Sequence, residues 1–272
     1  MSNEAEAAVE AIMARGVMGA EIAFILGTGL GNMADAVENP IAIPYTDLPG
    51  FPTLTVSGHD GQIIFGTQEG VNVVYMQGRS HYYEHGIPHC MEIPLEALAL
   101  LGVQIVVLTA AVGSLNADFY PGNLILITDH INLNGINPLI GSGGDGSIIS
   151  LVDAYDPRLA RRFKRATLTA GVNIREGIYM WFSGPSFETP AEVKMARMLG
   201  ADVVGMSVVP EVILARRIGL RTAAVGIVSN FGAGFQGGNP SHVETRQTAA
   251  QGAITLKRLL RSFLRIKELE SQ

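Results

Sequence analysis

A single cysteine, Cys90, excludes an intrachain disulfide and any zinc cluster built on thiolates. Beside Met91 it reads as a small buried residue. Charge is also sparse: only 16% of the 272 residues are Asp, Glu, Lys or Arg, and the formal net charge is −6. A nucleic-acid binder normally shows a basic surplus, so the balance argues against that class. The acidic balance also means that an anionic substrate has to be met locally, by an arginine or by backbone amides, against the overall field. No apolar run reaches the ~20 residues of a membrane helix. The longest, Ala97 to Val112, is broken by Gly102 and Gln104 and reads as a helix end followed by a buried strand. The opening residues, Met1 to Glu6, are acidic and lack the basic start of a signal peptide, so the expected location is the cytoplasm. Internal repeats, low-complexity tracts and Pro- or Ser-rich linkers are missing too, which favours one domain over residues 1–272.

Apolar residues (47%) and glycine (32 residues) are plentiful, enough for a large core with many tight turns. Short apolar runs predict strands over Glu21–Leu26, Gln62–Gly66, Val71–Met76, Gln104–Leu108, Leu124–Asp129, Gly177–Phe182, Asp202–Gly205 and Thr222–Val228. Several lack polar alternation, the pattern of strands covered on both faces. Helical periodicity predicts helices over Glu4–Arg15, His89–Leu101, Pro157–Ala170, Pro190–Leu199, Pro210–Ile218 and His242–Leu269. Pro190 and Pro210 open two of them, and Gly200 and Gly219 close the same two. The alternation predicts an α/β fold: a single domain with a central, largely parallel, mixed twisted sheet flanked by helices.

Polar residues collect just past the predicted strand ends, where open α/β sheets bind ligands. They are Thr28, Arg79 with His81, Glu188, Ser207 and Asn230. In Trp181 to Pro190 a Gly/Pro-framed loop sets Phe187 beside Glu188, a flat apolar face next to a strong acceptor, suited to a heterocycle with ring N–H groups. Thr189, Pro190 and Glu192 then read as cap, first helical position and capping-box partner of the next helix. A Phe packed inward and a Glu answering the helix dipole account for the same pair.

Gly27-Thr28-Gly29-Leu30-Gly31-Asn32 has Asn32 where a dinucleotide fingerprint needs its third glycine. That leaves an open backbone beside a hydroxyl, either a phosphate cradle or a tight strand-to-helix turn. In extended backbone Arg79, His81 and Tyr83 share one face, and Arg supplies a fork that matches phosphate oxygens. A solvated surface strand is the alternative. Ser207 by itself reads as a local turn, and Met206 as core. Ser241 and Glu244 repeat the capping-box pattern and make His242 the first helical residue, facing either a substrate hydroxyl or solvent. His81, His85 and His89 recur every four residues, but Gly86 and Pro88 break any shared helical face, so no metal site is expected.

Together these segments resemble the trimeric purine nucleoside phosphorylases from about Glu21 to Gly252. The likeness is carried by Gly27–Gly31, Gly78–Tyr83, Gly113-Ser114-Leu115-Asn116, Asp129-His130-Ile131-Asn132-Leu133, Asp153-Ala154-Tyr155-Asp156, Gly184–Glu188 and Gly205–Val212. The resemblance implies a homotrimeric pentosyltransferase of purine salvage that needs no cofactor or metal, with inorganic phosphate as co-substrate. It implies phosphate on Thr28, Arg79, His81, Ser207 and the backbone of Ala111. It also implies ribose against Tyr83, Met206 and His242, and the base on Phe187, Glu188 and Asn230, with Asn230, Glu188 and His81 as the catalytic set.

Three positions depart from that family's pattern. Thr28 replaces a common Ser, Ala110 replaces a common Asn, and Ile148 stands near where relatives send a Phe onto the neighbour's ribose. Methylthioadenosine phosphorylases are the nearest alternative, but they usually carry Asp at the position of Asn230 and an apolar residue at that of His242. A non-catalytic nucleoside-binding protein would need a broken site set, which this is not.

Overall fold

In a computed structural model, residues 1–55, 60–144 and 148–266 are described. The Val/Ile runs form strands because β-branched side chains are stiff at χ1 and pack well on a pleated surface. They are β1 (Ile22–Ile25), β2 (Glu38–Pro44), β3 (Gln62–Gln68), β4 (Val71–Gln77), β5 (Ile105–Ser114), β6 (Leu124–Ile131), β7 (Ile174–Trp181), β8 (Val203–Gly205) and β9 (Arg221–Phe231). The helices are α1 (Asn3–Met13), α2 (Tyr82–His85), α3 (Glu92–Leu100), α4 (Pro157–Ala170), α5 (Pro190–Met198), α6 (Val209–Arg217) and α7 (His242–Arg265).

The strand order is β2-β3-β4-β1-β5-β8-β7-β6-β9, and β9 pairs back onto β5. Strands β4, β1, β5 and β9 run parallel, as do β6, β7 and β8. The joins β2/β3, β3/β4, β5/β8 and β6/β9 are antiparallel. The sheet is mixed, as expected, but it is not open. β5, β8, β7, β6 and β9 form a ring of pairings, a small barrel fused to a flatter flank. Closure happens where the β5/β9 ladder shifts register after Val112, and β8 docks on Gly113 and Ser114.

Two apolar layers cover the sheet. Ile12 of α1, Leu95 and Leu98 of α3, and Val212 and Ile213 of α6 pack on one face. Leu159 and Phe163 of α4, with Leu256, Leu260 and Phe263 of α7, pack on the other. Helix punctuation follows local chemistry. Asp156 caps α4 with Pro157 at its first position, and Gly171 ends it in the left-handed region. Thr189 and Glu192 complete the expected capping box of α5.

Some expectations shift. The helix expected from His89 begins at Glu92, because His89 to Met91 form a turn. α7 is described to Arg265, and 267–269 lie outside the described residues. β2 was not expected at all. Its Pro40 and Pro44 argue against a strand, and it survives as the exposed edge, where a missing N–H costs no ladder bond. Among the described residues no helix is long and apolar enough to cross a membrane.

Candidate active site

A cavity of about 320 Å³ opens where the ends of β1, β4, β5, β8 and β9 meet the loops after β4 and β7. β8 runs antiparallel to β5 and pairs with its last two residues, Gly113 with Val204 and Ser114 with Val203. That pairing sets Val204 to Ser207 beside Ala110 to Gly113 around the cavity.

One end is held by buried polar groups. The Gly27 N–H donates to Thr109 Oγ1 at 3.0 Å. A Cβ at Gly27 would stand 2.8 Å from the Thr109 carbonyl, so this close approach, which carries Thr28 into the cavity, requires glycine. The turn leads into a short 3-10 helix, Gly31–Ala36. Arg79 also lines the cavity yet is only 1% exposed. Its Nη1 donates to Glu211 Oε1 at 2.9 Å, and its Nη2 donates to the carbonyls of Ile25, at 3.0 Å, and Thr109. Glu211, at the head of α6, is 2% exposed, so the ion pair is desolvated on both sides.

The expected shared face of Arg79, His81 and Tyr83 does not form. β4 ends at Gln77, Gly78 takes a left-handed φ of 127°, and His81 caps α2, which places Tyr83 on a helix. Helical winding still brings the two rings together, stacked 4.9 Å apart. Glu84 Oε1 accepts from the His81 backbone N–H at 2.7 Å and sits 3.0 Å from its Nδ1. Glu84 Oε2 accepts from the backbone and hydroxyl of Thr55 at 2.9 and 2.6 Å. Burial pushes the Glu84 carboxyl up, but the His81 and Thr55 bonds outweigh it and hold its pKa at about 2. Glu84 is therefore an ionised acceptor for a proton on His81 Nδ1, which fixes the orientation of the ring.

Ser207 has more behind it than a local turn. Its N–H donates to Tyr179 Oη at 3.1 Å, and Val209 N–H bonds back to the Ser207 carbonyl at 2.8 Å. Val208 between them has φ 73° and ψ −56°, the rare γ-turn geometry, strained for a β-branched residue. Tyr179 Oη fills the space a Cβ would need at Gly205.

The other end is more open. Phe187 is 37% exposed, whereas Glu188 beside it is 7% exposed. Burial, reinforced by the charge of Glu192, raises the Glu188 pKa above the ordinary carboxylate value, although its own backbone N–H opposes this. Met206 and Tyr83 close on Gly184, where a Cβ would meet Met206 Sδ at 2.6 Å and Tyr83 at 2.7 Å. His242 begins α7, whose cap Ser241 accepts from Glu244 N–H at 3.2 Å. Asn230 lies within β9, not beyond it, and Ala111 within β5.

Every residue the sequence nominated, from Thr28 to His242, lines this one cavity, as does Ala110. Ile148 does not: it is 85% exposed on the surface of its own chain. Glu84, Glu211 and Ser229 were missed. Glu84 had a signal, an acid three residues after a capping position; Glu211 had only the look of an acid in a helix's first turn.

A family model described as the phosphorylase superfamily matches residues 21–265. Purine nucleoside phosphorylase 1 of Geobacillus stearothermophilus is 42% identical over 248 residues, 90% of each chain. The chain belongs to the purine nucleoside phosphorylases. Among solved structures, Schistosoma mansoni purine nucleoside phosphorylase in complex with inosine aligns with a TM-score of 0.90 at 34% identity, over 99% of this chain and 97% of that one. The complex of the same enzyme with adenosine gives 0.90 and 34% over 98% of each. The likeness to purine nucleoside phosphorylases thus spans the barrel, the flank and both helical layers.

Proposed function

We propose that the enzyme catalyses reversible phosphorolysis of purine ribonucleosides and 2′-deoxyribonucleosides, 6-oxopurines preferred, giving free base and (deoxy)ribose 1-phosphate. The observation that carries this reading is one cavity with an anion cradle at one end and an amide–carboxylate pair at the other. Phosphate sits on Arg79, His81, Thr28, Ser207 and the backbone of Ala111, and ribose against Tyr83, Met206 and His242, with His242 on the 5′-hydroxyl. The base lies on Phe187 between Glu188 and Asn230. As the glycosidic bond breaks, the sugar becomes an oxocarbenium ion and the purine gathers negative charge. The Asn230 amide N–H meets that charge, a role worth roughly 3 kcal/mol in comparable sites. Glu188 accepts a ring N–H, and phosphate, oriented by Arg79 and His81, attacks the anomeric carbon.

The reading needs no cofactor; phosphate is the co-substrate. Leu133, Ile140, Ile148 and Val152 are large apolar residues left exposed in the connection between β6 and α4, and we take that stretch as a subunit contact of a homotrimer. The Schistosoma mansoni enzyme has been seen with both inosine and adenosine, so base preference rests here on Asn230 and Glu188 and not on the fold. Initial rates at fixed phosphate with inosine, guanosine, adenosine and 2′-deoxyinosine test it. The 6-oxopurines are expected to lead, and a lead for adenosine would overturn the base assignment.

A further inference from the structure

The β5/β9 ladder pairs Val112 with Val228 and then Gly113 with Asn230, so Ser229 is an extra residue in β9, a β-bulge. Neighbours on a regular strand point to opposite faces. The bulge breaks that alternation, and Ser229 and Asn230 both line the cavity while being 1% and 5% exposed. Their side chains meet: Ser229 Oγ donates to Asn230 Oδ1 at 2.6 Å, well inside its 3.2 Å contact with the Val112 carbonyl. From the opposite side, Asn230 Nδ2 donates to the Phe231 carbonyl at 2.9 Å.

We propose that Ser229 is a positioning and specificity residue that holds Asn230 Oδ1 turned toward its own hydroxyl, so that the amide is fixed with its donor, and not its acceptor, toward the base. This rests on the base assignment above. The Phe231 carbonyl accepts only, so rotating the amide by half a turn would set oxygen against oxygen at 2.9 Å. One Nδ2 proton is spent on Phe231, and the other remains for N7 or O6 of a 6-oxopurine. A 6-amino group instead needs an acceptor, and the Ser229 hydroxyl keeps the amide oxygen turned toward itself; its second lone pair stays open, so the fixed orientation is what disfavours the 6-amino group. Discrimination against 6-aminopurines therefore comes from a hydroxyl that need not touch the base.

The test is kcat/KM for inosine and adenosine, at saturating phosphate, in the wild type, Ser229→Ala, Ser229→Cys and Ser229→Thr. Ser229→Ala is expected to lower the inosine-to-adenosine ratio roughly 3- to 10-fold, the worth of one hydrogen bond. Ser229→Thr should restore the ratio. Ser229→Cys, a weaker donor that keeps a side chain in the bulge, should fall between and carries the test if the alanine variant does not fold. In an Asn230→Ala background the Ser229→Ala effect on the ratio should vanish. An equal loss for both nucleosides means a merely structural serine and overturns the proposal. So does an unchanged ratio in an enzyme that prefers inosine, which leaves the base assignment standing. A wild type that prefers adenosine overturns the base assignment and this proposal with it.

Discussion

At one end of the cavity Arg79 is gripped by Glu211 and two backbone carbonyls, His81 is tied to an ionised Glu84, and Ser207 is set by a strained turn. At the other, Phe187 is more than a third exposed, and His242 begins a helix whose first turn faces solvent. The first end is organised before any ligand arrives, because its charges are buried and could not be left without partners. The second keeps its aromatic and imidazole groups at the surface, where, under the proposed function, they would close on a nucleoside and release a base. Under the proposed function, a charged, invariant co-substrate suits a fixed cradle, and a bulkier, more varied one suits an adjustable wall.

The largest effect should come from the fixed end. Arg79→Ala is expected to cut activity by on the order of 10²-fold or more and to cost about 3–5 kcal/mol of stability, since it strands Glu211 in the core. Adding Glu211→Gln should recover most of the stability, read by thermal or urea unfolding, but none of the activity. Recovered activity would mean that Arg79 acts only as the partner of Glu211. Next comes Asn230→Asp, which turns the amide donor into an acceptor. Inosine turnover should fall by on the order of 10²-fold while adenosine turnover rises relative to it.

That ordering tracks what could be read from the chain. Arg79, Glu188 and Asn230 stood out because polar residues past apolar strand runs are conspicuous, and the resemblance then gave them roles. The partners were hidden. Pro210-Glu211 looks like any helix start, and its reach to Arg79 spans 132 positions of sequence. Ser229 was invisible because a bulge cannot be seen in a period-two pattern, which puts Ser229 and Asn230 on opposite faces. The strand ring was equally out of reach, since β8 is only three residues long and its neighbours are set by tertiary pairing. The proline-bearing β2 shows edge context overriding local propensity.

A smaller effect belongs to pH. The Glu188 pKa is raised in the free enzyme, so the carboxylate that should accept the ring N–H is lost at a higher pH than for an exposed glutamate. The acid limb of kcat/KM for inosine should therefore lie above pH 4.5, and Glu188→Gln should remove that limb along with much of the activity. A limb unmoved in Glu188→Gln would assign it to another group. The smallest effect is expected at Ile148. If a neighbouring subunit lays it over the ribose, Ile148→Ala should weaken nucleoside binding by less than the roughly 1.5–3 kcal/mol of a fully buried aliphatic side chain. Ile148→Phe should be tolerated or tighten binding. A monomer by sedimentation at micromolar concentration would remove the basis for both.

The most direct measurement compares inosine cleavage with and without inorganic phosphate, identifying the sugar product by chromatography or phosphorus NMR. A cavity whose fixed end is a phosphate cradle should give hypoxanthine and ribose 1-phosphate at a rate that rises and saturates with phosphate, with negligible cleavage without it. Comparable cleavage in phosphate-free buffer, with free ribose as product, would make the buried Arg79 end something other than a nucleophile's cradle and the enzyme a hydrolase.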